Sequence, residues 1–117
     1  MPEYSVNKVA VTHARKLIRE GKVVTKSQWG DAQPDANQEN EFLDSHSWTE
    51  YSAWHLALVD GATEQTKGRY GFGFGDFDKV HRSGLLACQY RAAEWKHREI
   101  EDAATKLLRY LDDQTED

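Results

Sequence analysis

The strongest constraint in this sequence is an apolar stripe in its last third. Leu86, Tyr90, Ala93, His97, Ile100, Ala104, Leu107 and Leu111 follow one another at alternating steps of four and three. That is the spacing of side chains down one side of a helix. A second file, Leu85, Cys88, Ala92, Trp95, Ala103 and Leu108, widens the face, while Glu94, Lys96, Arg98, Glu99, Asp102, Lys106 and Arg109 fall opposite. The pattern predicts one long helix ending near Asp112, with Gly84 as a kink or a close crossing near its start. Such a face must be covered, by the rest of this chain or by a partner. Residues 1–112 are expected to form one domain, and the acidic tail 113–117 to fray.

The rest of the chain is short for the work of covering that face. At 117 residues it has room for a modest core, and 30% of its residues are charged against 38% apolar. Four Trp, five Tyr and four Phe compensate, because each aromatic ring buries a large area. A formal charge of −5 favours solubility and argues against general phosphate-backbone binding. A single cysteine excludes an intrachain disulfide framework and a Cys-rich zinc knuckle. No apolar run approaches the ~20 residues that span a bilayer, and no signal peptide opens the chain. A cytoplasmic protein without membrane contact is expected. Between Lys26 and Lys67 there is no Lys or Arg, and the stretch carries eight acidic residues, Asp31, Asp35, Glu39, Glu41, Asp44, Glu50, Asp60 and Glu64. It reads as a solvated face, or as one that meets a basic partner.

In chain order, Val6, Val9, Ala10, His13, Leu17 and Ile18 mark a first helix over 6–20, with Ser5 as N-cap and Gly21 as the left-handed residue that ends it. Val23 and Val24 form a short extended piece with no evident partner. Trp29 is expected as a core anchor. Pro34, Asp35 and Glu39 suit the start of a weak second helix carrying Phe42 and Leu43. Ser47 or Thr49 caps a short third helix through Trp54, whose Trp48, Tyr51 and Trp54 form an aromatic edge expected to pack on the long helix. Leu56, Leu58 and Val59 indicate a strand, Asp60-Gly61 a turn, and Arg69 to Phe74 a second strand. Its alternation sets Tyr70, Phe72 and Phe74 on one face and Gly71 and Gly73 on the other, where a neighbour should approach closely. The fold class is therefore α+β, mainly helical, with two or three N-terminal helices and a two-stranded antiparallel hairpin packed on a long C-terminal helix.

Few residues carry a chemical pattern. Gly71-Phe72-Gly73-Phe74-Gly75-Asp76-Phe77 resembles the last seven positions of the RNA-recognition octamer. It departs where Tyr70 replaces a basic residue and Gly75 an aliphatic one. Tyr70, Phe72 and Phe74 would be the contact residues for a single strand, but nucleic acid is the less favoured partner because the local charge is acidic. Asp76, Asp78, His81, Arg82 and Ser83 form the densest polar cluster, at the expected start of the long helix. They would serve as a ligand or anion site, since the N–H groups at a helix start favour an anion, or Asp76 or Asp78 would simply cap the helix. No metal site is expected: no His-Glu-x-x-His occurs, and His97 with Glu94 or Glu101 makes half a site at most. No cofactor is expected, and no Ser-centred nucleophile motif is present. Cys88, in the apolar file, should be buried and inert.

The stretch 70–111, centred on Gly-Asp-Phe-Asp-Lys-Val-His-Arg-Ser-Gly-Leu, resembles small uncharacterised bacterial proteins over about a third of the chain. The resemblance implies a bacterial or phage-borne origin and brings no activity. The leading expectation is a structural or adaptor protein that works through a protein partner or self-association. The alternatives are a small hydrolase or anion-binding protein using 76–84, and a single-strand binder using the glycine-aromatic hairpin.

Overall fold

In a computed structural model, which describes residues 3–115, two helices carry the apolar stripe instead of one. The chain runs β1 (Tyr4–Val6), α1 (Lys8–Arg19), β2 (Val23–Val24), α2 (Trp29–Ala32), α3 (Ala36–Ser45), α4 (Trp48–Ser52), β3 (His55–Val59), β4 (Tyr70–Gly73), β5 (Val80–His81), α5 (Arg82–Glu94) and α6 (Arg98–Thr115). Strands β1, β3 and β4 form an antiparallel sheet with β3 in the centre, and β2 and β5 form a separate parallel pair. The fold is α+β: N-terminal helices and the β3–β4 hairpin pack against the α5–α6 pair.

Helix α5 stops because the backbone reverses at Lys96, which sits at φ 60°. The Lys96 N–H donates to Ala93 O at 3.2 Å and the His97 N–H to Ala92 O at 2.8 Å. These paired bonds make a Schellman cap, the same device that ends α1 at Gly21. The turn also rephases the buried face. In α6, Ile100, Ala104, Leu107 and Leu111 are buried as their spacing requires. In α5 the buried residues are Gly84 and, from the second file, Leu85, Cys88 and Ala92, and Tyr90 of the main stripe is 74% exposed. Helix α6 runs to Thr115, whose hydroxyl donates to Leu111 O at 2.9 Å. The tail expected to fray from Asp113 is thus helical that far, and its remainder, 116–117, lies outside the described residues.

The core lies between α1, α6 and β3. Ala10 and Ala14 let α1 approach closely, and Ile18, Leu56, Phe74, Leu85, Ile100, Leu107 and Leu111 are almost wholly withdrawn from water. Each large side chain of this kind contributes roughly 1.5–3 kcal/mol by burial. Ser5 lies in β1 and does not cap α1. The N-cap is Asn7, whose carboxamide instead donates to Ser52 O at 2.9 Å and His55 O at 3.1 Å, tying the end of α4 to β3. Asp35 and Ser47 each close a capping box, at α3 and α4. Trp29 is only half-buried. The aromatic edge of α4 packs on the hairpin and its flanks: Trp48 and Tyr51 meet Tyr70, and Trp54 meets Phe74, Phe77 and His13.

The strand alternation expected for Tyr70, Phe72 and Phe74 is broken at Phe72, whose φ is 62°. Tyr70 lies against Tyr51, Phe72 turns to Tyr4 and His97, and Phe74 enters the core. The neighbours of the strand glycines are the rings of Tyr4 and His55, at 3.6 Å and 3.5 Å from the places of a Cβ on Gly71 and Gly73. Among the described residues no helix is long and apolar enough to cross a membrane.

Candidate functional site

Two places concentrate chemistry. The first is the turn from Gly75 to Val80, a tight reversal that needs the left-handed φ of 70° at Phe77. Asp76 holds the turn. Its Oδ1 accepts from the Asp78 and Lys79 N–H groups at 3.0 and 2.7 Å, an Asx arrangement. Its Oδ2 lies 2.8 Å from His81 Nε2. His81 Nδ1 in turn lies 2.9 Å from Ser27 Oγ, and Ser27 Oγ lies 2.8 Å from Ser83 Oγ. Asp76, His81, Ser27 and Ser83 thus form one hydrogen-bonded chain.

The parallel pairing of β2 with β5, Val23 to Val80 and Val24 to His81, brings Ser27 there. His81 is 5% exposed, and Trp29 stands 5.7 Å from its ring. Burial raises the Asp76 pKa, but hydrogen bonds from His81 and from the Lys79 and Asp78 N–H groups outweigh it and hold the carboxyl below the usual range.

The structure gathers Asp76, His81 and Ser83 of the sequence-derived cluster and separates the other two. Asp78 is exposed and offers only its N–H. Arg82 turns away to pair with Asp112, at 2.8 and 3.2 Å, and each group strengthens the ionised form of the other. Neither aspartate caps α5, which starts after His81 with no side-chain cap. Sequence reasoning missed Ser27, which stands 54 positions before His81. The only sequence signal was the unpaired Val23-Val24.

The second place is a cleft of about 400 Å³ between α2–α4 and the hairpin, walled by Trp29, Tyr51, His55, Tyr70, Phe72 and Phe77. Glu39, Lys67 and Arg91 supply its charges. Glu39 is engaged, by the Tyr51 hydroxyl at 3.1 Å and Lys67 Nζ at 3.4 Å. Burial, then the Glu39 carboxylate, push the Tyr51 hydroxyl well above the usual phenol range. His55 donates from Nδ1 to Tyr51 O at 3.0 Å, and burial pulls its pKa down.

Cys88 also reaches the cleft wall, yet it is only 3% exposed, and its thiol donates to Phe72 O and Gly73 O at 3.3 and 3.4 Å. Burial pushes it up to about 12.

A further depression of about 470 Å³ lies between Tyr4, Glu94, Trp95 and His97, and shares Gly71, Phe72 and Arg91 with the cleft. The two adjoin along β4 with those three residues as their common lining, a two-part groove. Arg91 is exposed, and among the described residues it has no acidic group within ion-pair distance.

The three aromatics proposed as a base-stacking row do not form one. Phe74 is fully buried, so only Tyr70 and Phe72 border open space. Among the described residues no three metal-ligating side chains converge. His13 and His97 are ring neighbours of Trp54 and Tyr4. No family model, curated protein or solved structure matches the chain.

Proposed function

We propose that this is a small binding protein that holds an extended segment of a protein partner in the groove over β4. One observation carries the reading: the 400 Å³ cleft and the 470 Å³ depression lie side by side along β4 and have Gly71, Phe72 and Arg91 as common lining. A compact small molecule would occupy one of them, whereas an extended peptide uses both. Aromatic rings wall the groove, and Glu39, His55, Lys67 and Arg91 stand among them as the polar groups that fix a ligand's orientation. Trp and Arg, among the side chains that carry most interface energy, stand at its open end as Trp95, 53% exposed, and Arg91.

The chemistry of the groove specifies the segment. Apolar or aromatic side chains enter between Trp29 and Phe77, and a carboxylate pairs with Arg91. The protein acts by contact, in the cytoplasm of a bacterial cell. The sequence resemblance supports the bacterial origin, and the single cysteine fits a reducing compartment.

A displayed library of random twelve-residue peptides tests this reading. Selection should enrich an apolar–acidic motif. Binding should change Trp fluorescence and weaken by about 2 kcal/mol, the scale of an interface hot spot, in Arg91→Glu and in Trp95→Ala. A library that yields no sequence-specific binder, or binders indifferent to both substitutions, overturns it.

A further inference from the structure

We propose that Ser27 is an activated nucleophile that takes short acyl groups. The observation is the order of the chain Asp76–His81–Ser27: carboxylate, imidazole, hydroxyl, at 2.8 and 2.9 Å. Nucleophile and base stand within hydrogen-bond reach, and a third group orients the base, which is the requirement for activating a serine.

The proton positions follow from the partners. An ionised Asp76 only accepts, so His81 Nε2 carries the hydrogen of that bond. In the neutral ring Nδ1 then has the lone pair, and the Ser27 hydroxyl donates into it. With its own hydrogen committed, Ser27 Oγ accepts from Ser83. The geometry is held from several sides. Asp76 cannot swing away because its other oxygen is fixed by two N–H groups. His81 is fixed by β2–β5 pairing, by its N–H to Phe74 O at 3.0 Å, and by Trp29 over its ring.

The reaction balances without any further reagent. Ser27 Oγ attacks the carbonyl carbon of an ester as its proton passes to His81 Nδ1. The bond to the leaving oxygen breaks, and that oxygen takes the proton. Water, deprotonated by the same nitrogen, then attacks the acyl-serine and releases the carboxylic acid, restoring Ser27. Ser83 is the second residue of α5, whose first turn carries no side-chain cap. Its N–H groups are donors for the negative oxygen of the tetrahedral intermediate.

Size selects the substrate. Ser27 is partly buried, His81 is 5% exposed, and neither borders the peptide groove, so the substrate class assigned is the one that needs least room, esters of acetyl-sized acids. The site stands independently of the peptide reading.

The full chain should be treated with methanesulfonyl fluoride, which leaves a stable adduct of about acetyl size on an activated serine, and, separately, with p-nitrophenyl acetate, and the adducts mapped by peptide mass spectrometry. One adduct is expected, on Ser27, absent in Ser27→Ala. In His81→Gln, with folding checked by circular dichroism, the rate should fall by about 10²-fold or more, the usual share of a general base. Asp76 is a positioning residue: Asp76→Asn should lower kcat for the acetate ester with KM unchanged, and Asp76→Glu should restore part of it. Labelling of the wild-type chain should also vanish in denaturing urea, a control that does not depend on any variant folding. No adduct on Ser27 in the folded chain, an undiminished rate in folded His81→Gln, or labelling that persists in urea each overturns the proposal and leaves the relay a structural clasp.

Discussion

Gly84 lies directly against the backbone of Phe74: a Cβ at position 84 would stand 2.6 Å from the Phe74 carbonyl oxygen and 2.9 Å from its carbonyl carbon. Neither atom belongs to a flexible side chain, so the helix or the strand would have to move. Alanine is the better helix former by about 1 kcal/mol, but overpacking a fitted contact costs roughly 1–3 kcal/mol. Gly84→Ala is therefore expected to be net destabilising, by up to about 2 kcal/mol, read from the denaturant midpoint at unchanged slope.

Lys96 gives the opposite expectation. It occupies the left-handed position of a Schellman cap at φ 60°, where a side chain costs roughly 1 kcal/mol and glycine costs none. Lys96→Gly should stabilise the protein by about 0.5–1 kcal/mol, seen as a higher Tm.

Asp76 predicts a pH dependence with a definite sign. Its folded pKa is held below the ordinary 3.8. The contribution is thus fully present above the unfolded value and is lost as pH falls through the lower, folded one. Asp76→Asn should be less stable than wild type at pH 7, and the gap should close below about pH 4. Parallel urea titrations at pH 7 and pH 3 decide it, and an equal gap at both would refute the assignment.

Cys88 should be inert in the folded state. Its thiol is pushed up to about 12 by burial, and the thiolate is the reacting species. Reaction with a disulfide reagent at pH 8 should run at least 10²-fold slower in buffer than in denaturing urea.

Tyr90 should not matter to folding. At 74% exposure, Tyr90→Ala is expected to change stability by less than about 0.5 kcal/mol, measured by thermal unfolding.

The sequence made the helical and hairpin elements legible wherever one local rule governed. Gly21 ended α1 as expected because glycine advertises a left-handed turn. The same turn at Lys96 was invisible because the lysine hides it, and both apolar files run across it: α5 buries Leu85, Cys88 and Ala92 of the second file, and α6 buries Ile100, Ala104, Leu107 and Leu111 of the first. Phe72 misled for the same reason, since a positive φ at a phenylalanine breaks an alternation that reads as continuous. Within the candidate site, Asp76, His81 and Ser83 were visible through local density of polar groups. Ser27 was not, because the pairing that delivers it is between two-residue strands, too short to leave a periodic signal. The groove is a tertiary object: Trp29, Tyr70 and Arg91 share no spacing rule, and only the packing of α2–α4 over the hairpin assembles them.

The β2–β5 ladder also sets the order in which the molecule is built. Helices α5 and α6 need only a three-residue turn to meet. Ser27 and His81 must close a loop of 54 positions, which costs about 2.5 kcal/mol more in chain entropy. On refolding, the helical hairpin should assemble in the early phase and the Ser27–His81 contact in the last. Substitutions in the relay would then accelerate unfolding while leaving the folding rate almost untouched. The hydroxyl relay exists only in chains that have finished folding, and its formation marks the completion of the fold.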